Sequence, residues 1–456
     1  MISKKNIYFI GVGGIGMSAL ARYFLALGFN VSGYDKTETP LTKKLIREGV
    51  KIHYQDNLLL LDESFKSKEN TLVIVTPAIP KNHSEWSFFK KEGFEILKRA
   101  QVLGKITEIN KSIGIAGTHG KTTISSLVSY IFKYCKIPFT AFLGGISKDL
   151  GSNYYYDENS EITVIEADEY DRSFLELKPT IATVSAIDPD HLDIYGTKEE
   201  MQKTFKQYLE TNLRSDGVGI IHSSLSGILG GSYKTYSLED KSADYFAANF
   251  RVENQDFLAD FKWSEGEIKN VKLGLPGIHN MENALLAFGV GIEEGLNPQL
   301  IKEAIGQYSG VERRFDIHIK SEHLIYIDDY AHHPEEIKKL IQSVRKMYPT
   351  KRILGIFQPH LFSRTQDFAD GFARSLELLD ELLLLDIYPA REQPIPGVDS
   401  QMLFDLILMN SKTLCSKKEL LSYVSASNST VVLTIGAGDI GAEVDNLKKF
   451  LLNSNK

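Results

Sequence analysis

The run GTHGKTT, residues 117–123, sets a lysine and two threonines directly behind a glycine turn. Gly117 and Gly120 let the backbone bend so that successive N–H groups point inward. A helix starting at the lysine then adds the positive end of its dipole. That combination cradles phosphate: Gly117, Thr118, His119, Gly120 and Thr123 shape the loop, Lys121 meets the β- and γ-phosphates, and the Thr122 hydroxyl meets Mg²⁺. The spacing is a shortened GxxGKT, because the longer pattern wants glycine where Ile115 stands. Glu166 closes TVIEAD, and His191 lies in DPDHLD past the next apolar strand. Carboxylate and imidazole are both metal ligands, and nucleotide-bound Mg²⁺ takes few protein ligands beside water and phosphate. Together these residues point to a nucleotide–metal site.

A second glycine loop, GVGGIG, occupies residues 11–16 and lacks a lysine. Gly13, Gly14, Ile15, Gly16, Met17 and Ser18 open a helix whose N-terminus can hold a diphosphate. On these residues alone, two readings stand: dinucleotide binding with Asp35 on a ribose, or a tight strand–helix packing turn.

The elements that must position these loops alternate. NIYFIGV, NVSGYD and TLVIVTPAI read as buried strands, the last carrying Thr76 past its tip. A second α/β run opens at KSIGIAGTHGKTT and continues through EITVIEADEYD and PTIATVSAIDPDHLD. The stretch from YKTYSLED to VKLGLPG alternates and is rich in turns, which predicts antiparallel strands, and HNMENALLAFGVGIEEG returns as a helix. After GVERRF, which reads as a hinge, HLIYIDDYAHHP, RILGIFQPH, ELLLLDIYPA and STVVLTIGAGDIG are four more strand-then-loop units. Strands alternating with helical segments predict parallel sheets covered on both faces, with ligands at the carboxyl ends of the strands.

A chain of 456 residues favours two to four domains. A net charge of −7 argues against nucleic acid as a partner. Cys135 and Cys415 share no metal-binding spacing, and two thiols fit a reducing cytoplasm. MISKK followed by apolar residues superficially resembles a leader peptide, but the glycines and the helix continuing past Arg22 favour a folded strand–turn–helix. No stretch reaches the roughly 18 uncharged apolar residues of a membrane span.

Taken together, FIGVGGIGMSALA, AGTHGKTT, EADEYD, DPDHLDIYG, PGIHNMENALLA, GVERRFD, DDYAHHPEE, FQPHLFSRT, DIYPAREQPIPG and GAGDIG occur in the order seen in the Mur ligases, from residue 7 to about residue 441. The chain most resembles the alanine-adding branch of that family. The resemblance implies an α/β protein of three domains. Residues 1–104 would be a Rossmann-like domain for the UDP substrate, 105–311 a central P-loop ATPase domain with a mixed sheet, and 312–456 a Rossmann-like domain that receives the amino acid and closes over ATP. It further implies ATP and Mg²⁺, with two ions, and ligation of L-alanine to the lactyl carboxylate of UDP-N-acetylmuramate through an acyl phosphate. The enzyme would be a cytoplasmic monomer or homodimer with no membrane partner.

By the same resemblance, Lys121, Glu166, His191 and Arg314 are catalytic, and Thr122, Glu166 and His191 hold metal. Asn280, Asn283, Arg314 and Asp329 join the loop in binding ATP. The UDP substrate falls to residues 13–18 with Asp35 and Thr76, and the alanine pocket to Tyr330, His332, His360 and Arg364. Leu361 departs from the family, where a basic residue often follows FQPH. Some sister ligases carry a carboxylated lysine, and neither Lys198 nor Lys203 is assigned that role. EADEYD also resembles a ligase that recycles whole tripeptides onto the same UDP sugar, while an NAD-dependent dehydrogenase would leave GKT, Glu166 and His191 unexplained.

Overall fold

The computed structural model describes residues 4–76, 79–80, 82–189, 192–390 and 392–454. The chain divides into two compact units, residues 1–248, 261–268 and 283–305 in the first, and 249–260, 269–282 and 306–456 in the second.

The first unit opens with a five-stranded sheet of β1 (Asn6–Ile10), β2 (Asn30–Tyr34), β3 (Lys51–His53), β4 (Thr71–Val75) and β5 (Glu95–Lys98), in the order β3-β2-β1-β4-β5. All four pairings are parallel. β1 and β4 are continuous apolar runs because helices cover both faces. The order reverses at β1, so the crevice at its carboxyl end falls where GVGGIG begins.

The second sheet of this unit contains β6 (Lys111–Ala116), β7 (Phe139–Ser147), β8 (Ser152–Tyr155), β9 (Ile162–Glu166), β10 (Ile181–Val184), β11 (Val218–His222), β12 (Lys234–Ser237) and the start of β13 (Tyr245–Glu253). They run in the order β13-β12-β11-β10-β6-β9-β7-β8. Only β8 pairs antiparallel among the registered neighbours, through β7. The expectation of an antiparallel arrangement from YKTYSLED onward fails at its start. β12 pairs parallel to β11, and β13 parallel to β12. Alternating polarity reports one solvated face, not strand direction, and the connection from Ser237 to Tyr245 is long enough to return the chain to the same end. β14 (Asp256–Trp263) and β15 (Gly266–Lys272) follow through two-residue turns, and Asn254 and Gln255 both adopt positive φ, as a tight hairpin turn requires.

In the second unit a six-stranded sheet is built from β16 (Asp316–Lys320), β17 (Ile325–Asp329), β18 (Ile353–Phe357), β19 (Glu381–Leu384), β20 (Lys412–Leu414) and β21 (Val431–Ile435), in the order β16-β17-β21-β18-β19-β20. β16 is the antiparallel edge strand. The central strands β17, β18 and β21 are buried along their whole length. Among the described residues, no helix is long and apolar enough to cross a membrane.

Candidate active site

GTHGKTT sits between strand tips. β6 has β9 on one side and β10 on the other, so its terminal loop emerges between Glu166 and Ser185. The backbone N–H of Ser185 donates to Ala116 O at 3.1 Å, and that of Thr118 donates to Ala186 O at 2.9 Å. The Ser185 hydroxyl donates to the carbonyl of His119. Gly117 and Gly120 have φ of 130° and 82°, conformations that side chains resist, and a Cβ on Gly120 would lie 2.6 Å from Asn283 Oδ1. Asn283, on the helix Ile278–Glu293, therefore stands beside the start of the loop's own helix, Lys121–Tyr134. Thr123 is buried on that helix. His119 Nε2 lies 3.1 Å from Asp188, whose own N–H donates to the Thr118 hydroxyl at 3.0 Å.

Lys121 is the helix's first residue, and its ammonium donates to Gly117 O and to Glu169 Oε1, both at 2.8 Å. Glu169 is only 1% exposed. Burial works against the lysine's charge, yet the carboxylates of Glu169, Asp168 and Glu166 outweigh it and hold the ammonium above its usual range. Burial pushes the Glu169 carboxyl up, with Lys121 opposing. The Thr122 hydroxyl donates to Glu166 Oε1 at 3.1 Å, and Gly144 N–H donates to Glu166 Oε2 at 2.9 Å. A Cβ on Gly144 would overlap that carboxylate, so β7 passes under it at bare-backbone distance. A hydroxyl and a carboxylate this close are two hard oxygen donors beside a phosphate cradle, which suits Mg²⁺ completed by phosphate and water. Among the described residues no group of three His, Cys, Asp or Glu converges as an all-protein metal cage. His191 lies outside the described residues.

The first glycine loop is held differently. The helix Ile15–Ala26 starts after Gly14 with no side-chain cap, which leaves its first N–H groups facing outward. Asp35, just past β2, accepts from Gly13 N–H at 2.7 Å and from Thr37 N–H at 3.0 Å. Its carboxylate thus braces the loop. Thr76 follows β4 and packs against Gly11. Behind Met17 and Ser18, which are buried, Asn153 donates to Ile15 O at 2.5 Å and to the Ser18 hydroxyl at 3.1 Å. It also accepts from Arg22 Nη1 at 2.5 Å.

The remaining expected residues lie in the second unit. Asp329, at the end of β17, accepts from Phe315 N–H at 2.6 Å and Ala331 N–H at 2.7 Å. Burial lifts its carboxyl to about 6. Both of its oxygens are thereby spent on shaping the hinge loop. Arg314 lies over the Tyr330 ring at 5.1 Å, with Nη1 3.9 Å from Glu336. Its neighbour Arg313 is structural: Nε donates to buried Asp328 at 3.0 Å and Nη2 to Gly436 O at 2.7 Å, tying GVERRF to GAGDIG. Asn280 donates to Pro276 O at 2.7 Å.

His332 donates from Nδ1 to Tyr330 O at 2.9 Å, and burial depresses it to about 4. The imidazole is neutral at pH 7, with Nε2 as the acceptor. The His360 ring lies 6.2 Å from that of His332 and stacks on Tyr388 at 5.7 Å, and Arg364 is buried on the short helix Phe362–Asp367. Leu361 caps that helix at a φ of 71° and tucks its side chain inside, 9% exposed. Its backbone N–H donates to Tyr388 O at 2.9 Å.

Glu169, Ser185, Gly144 and Asn153 were missed by sequence reasoning. Glu169 stands inside EADEYD, three residues past Glu166, so the acidic run was visible. Nothing in it says which carboxylate faces the lysine. The other three become meaningful only once strands far apart in sequence lie side by side.

Comparison with known proteins gives the family. Residues 6–110 match the Mur ligase family catalytic domain, 115–291 the Mur ligase middle domain, and 313–438 the Mur ligase glutamate ligase domain. The UDP-N-acetylmuramate–L-alanine ligase of Parabacteroides distasonis is 48% identical over 98% of this chain and 97% of its own length. That of Flavobacterium psychrophilum is 47% identical over 98% of each. Among solved structures, the UDP-N-acetylmuramate-alanine ligase of Thermotoga maritima superposes with a TM-score of 0.82 at 28% identity, covering 99% of this chain and 100% of that one. A murein peptide ligase of Psychrobacter arcticus shares the fold, with a TM-score of 0.71 at 22% identity over 98% of each chain. With three family domains in series, the chain belongs to the Mur ligase family.

Proposed function

We propose that the chain joins L-alanine to the lactyl carboxylate of UDP-N-acetylmuramate at the expense of ATP, an early step in making peptidoglycan precursors. The observation that carries this reading is the cluster of Lys121, Thr122 and Glu166 at adjacent strand tips, in a chain that matches alanine-adding ligases along its whole length. In the first step a carboxylate oxygen attacks the γ-phosphorus, and the bond to ADP breaks. In the second the alanine amine attacks the acyl carbon, loses a proton, and phosphate leaves with the electron pair of the broken C–O bond.

Two negative groups must approach in the first step, so fixed positive charge is the main requirement. Lys121 supplies it from the helix start, helped by the inward N–H groups of the loop. Thr122 and Glu166 would hold Mg²⁺, which supplies further charge neutralisation when bound, and His191 would hold a second ion. Asn283 and Asn280 would frame the nucleotide, with Arg314 and Asp329 on phosphate and ribose. GVGGIG would take the diphosphate of the UDP sugar, with Asp35 and Thr76 at its edge. Tyr330, His332, His360 and Arg364 would form the alanine pocket, Arg364 pairing with the amino-acid carboxylate. Neutral His332 is suited to accept a hydrogen bond from the attacking amine. We infer domain boundaries near residues 104 and 311, and a cytoplasmic setting in keeping with two free cysteines.

The test is phosphate release by the purified protein with ATP, Mg²⁺, UDP-N-acetylmuramate and either L-alanine or a stem tripeptide. Release with alanine is expected. Release with the tripeptide only, or nicotinamide-dependent turnover instead, overturns the assignment.

A further inference from the structure

The acidic run past β9 turns sharply. Asp171 and Arg172, neither of them glycine, stand at φ of 53° and 55°. Two such residues in succession are strained and persist only where the surroundings hold them. The contacts that hold them come from the chain after DPDHLD. Tyr195, 3% exposed, ends the helical turn Leu192–Tyr195, four positions beyond His191 in sequence. Its hydroxyl donates to the carbonyl of Glu169 at 2.6 Å, and the Arg172 N–H donates to the same oxygen at 2.9 Å. The Arg172 guanidinium lies over the Tyr195 ring at 5.4 Å, with Nη1 3.5 Å from Glu200 on the helix Lys198–Gln207. Phe174 closes the knot, its ring 5.0 Å from that of Phe205 and stacked 4.8 Å from that of Tyr208. A buried tyrosine hydroxyl needs an acceptor somewhere. The informative point is which acceptor it has: the carbonyl of the residue whose carboxylate takes the Lys121 ammonium at 2.8 Å.

We propose that Tyr195 is a positioning residue for phosphoryl transfer. Its hydroxyl fixes the Glu169 peptide, and Glu169 fixes the Lys121 ammonium at the phosphate loop. Arg172, turned back by the two left-handed residues, holds the Tyr195 ring in place. This rests on the reading of Lys121 given above. A lysine ammonium sits on a flexible four-carbon stem and takes its place from its partners. It stabilises a transition state only where the negative charge develops, so a slack Glu169 costs rate before it costs substrate affinity.

The experiment measures steady-state phosphate release by the full-length protein with ATP, Mg²⁺, UDP-N-acetylmuramate and L-alanine, beside urea unfolding. Tyr195→Phe keeps the ring under Arg172 and removes one hydroxyl. The Arg172 N–H still satisfies the Glu169 carbonyl, so the variant should fold. Its kcat should fall about tenfold, with the KM for UDP-N-acetylmuramate and for L-alanine within about twofold of wild type. In a Glu169→Gln background the same substitution should cost nothing further, because the path from hydroxyl to lysine is already cut. A hydroxyl that serves folding alone gives additive losses instead. Arg172→Met, which frees the Tyr195 ring, gives a reading independent of that background and should also lower kcat without moving those two KM values. A kcat for Tyr195→Phe equal to wild type overturns the proposal. So does a full repeat of its loss in Glu169→Gln, or a rise in both KM values to match the fall in kcat. Normal turnover by Lys121→Met is a separate outcome: it fails the reading of Lys121, and this proposal with it.

Discussion

Replacing Lys121 should do two separable things. Sequence alone gives no reason for Lys121→Met to unfold, since the residue begins an ordinary helix. In the fold, however, its ammonium is 2.8 Å from a carboxylate that is 1% exposed. Removing the cation strands that charge. Breaking one side of a buried pair costs about 3–5 kcal/mol, and Glu169, already pushed up by burial, will take up a proton to limit the loss. Removing both charges leaves no buried charge unpaired, so Lys121→Met/Glu169→Gln should recover most of the stability. Turnover should not recover. Without Lys121 the transferring phosphoryl group loses its fixed cation, on the order of 10³-fold in rate or about 4 kcal/mol. Urea unfolding of the two single variants and the double variant, beside phosphate release, separates the effects. A single variant as stable as wild type, or a double variant no more stable than Lys121→Met, would falsify the buried-pair argument. Near-normal phosphate release by either would remove Lys121 from the chemistry.

Gly144→Ala places a Cβ on the Glu166 carboxylate and should raise the Mg²⁺ concentration needed for half-maximal activity about tenfold. A metal titration of phosphate release checks this, while thermal unfolding confirms that the sheet persists. Arg364→Met should raise the alanine KM far more than the ATP KM, because it would touch only the amino acid. Glu85 is fully buried beside Tyr8 and His53, and burial lifts its carboxyl from 4.5 to about 7. The folded state therefore holds a proton that the unfolded state gives up. The stabilising contribution is complete below pH 4.5 and is lost as pH rises through 7, by at most about 3 kcal/mol. Depressed His53 and His83 run the other way, so the difference between wild type and Glu85→Gln isolates it. The variant should gain on wild type between pH 5 and 7 in urea unfolding.

Much of the site was legible because its groups are local. GTHGKTT contains its own turn, lysine and hydroxyl, and the loop folds as its spacing requires. Asp35 was legible as a residue at a strand tip, while its hydrogen bond to Gly13, which makes it a brace of the loop, was not. The direction of β12 was not legible, since alternation fixes which face is wet and leaves pairing direction to the connection. Nor was the division of labour between Arg313 and Arg314, adjacent and chemically identical. Both lie over the Tyr330 ring, at 5.3 and 5.1 Å, but Arg313 is consumed by Asp328 and Gly436, while Arg314 reaches Glu336 only at 3.9 Å.

By itself the sequence determined the alternation of strands and helices, the two glycine turns that open helices, and the family. All of these are set by short-range spacing and by an ordered series of motifs. The tertiary structure decided which carboxylate meets which cation. Glu166 takes Thr122, Glu169 takes Lys121, and Asp168 stands off from Arg99. Those pairings cross 44, 48 and 69 positions of chain. They exist because β9 lies beside β6 and brings the acidic run to the mouth of the phosphate loop. Electrostatic partners are chosen by distance in space and by burial, and neither is written in the order of residues.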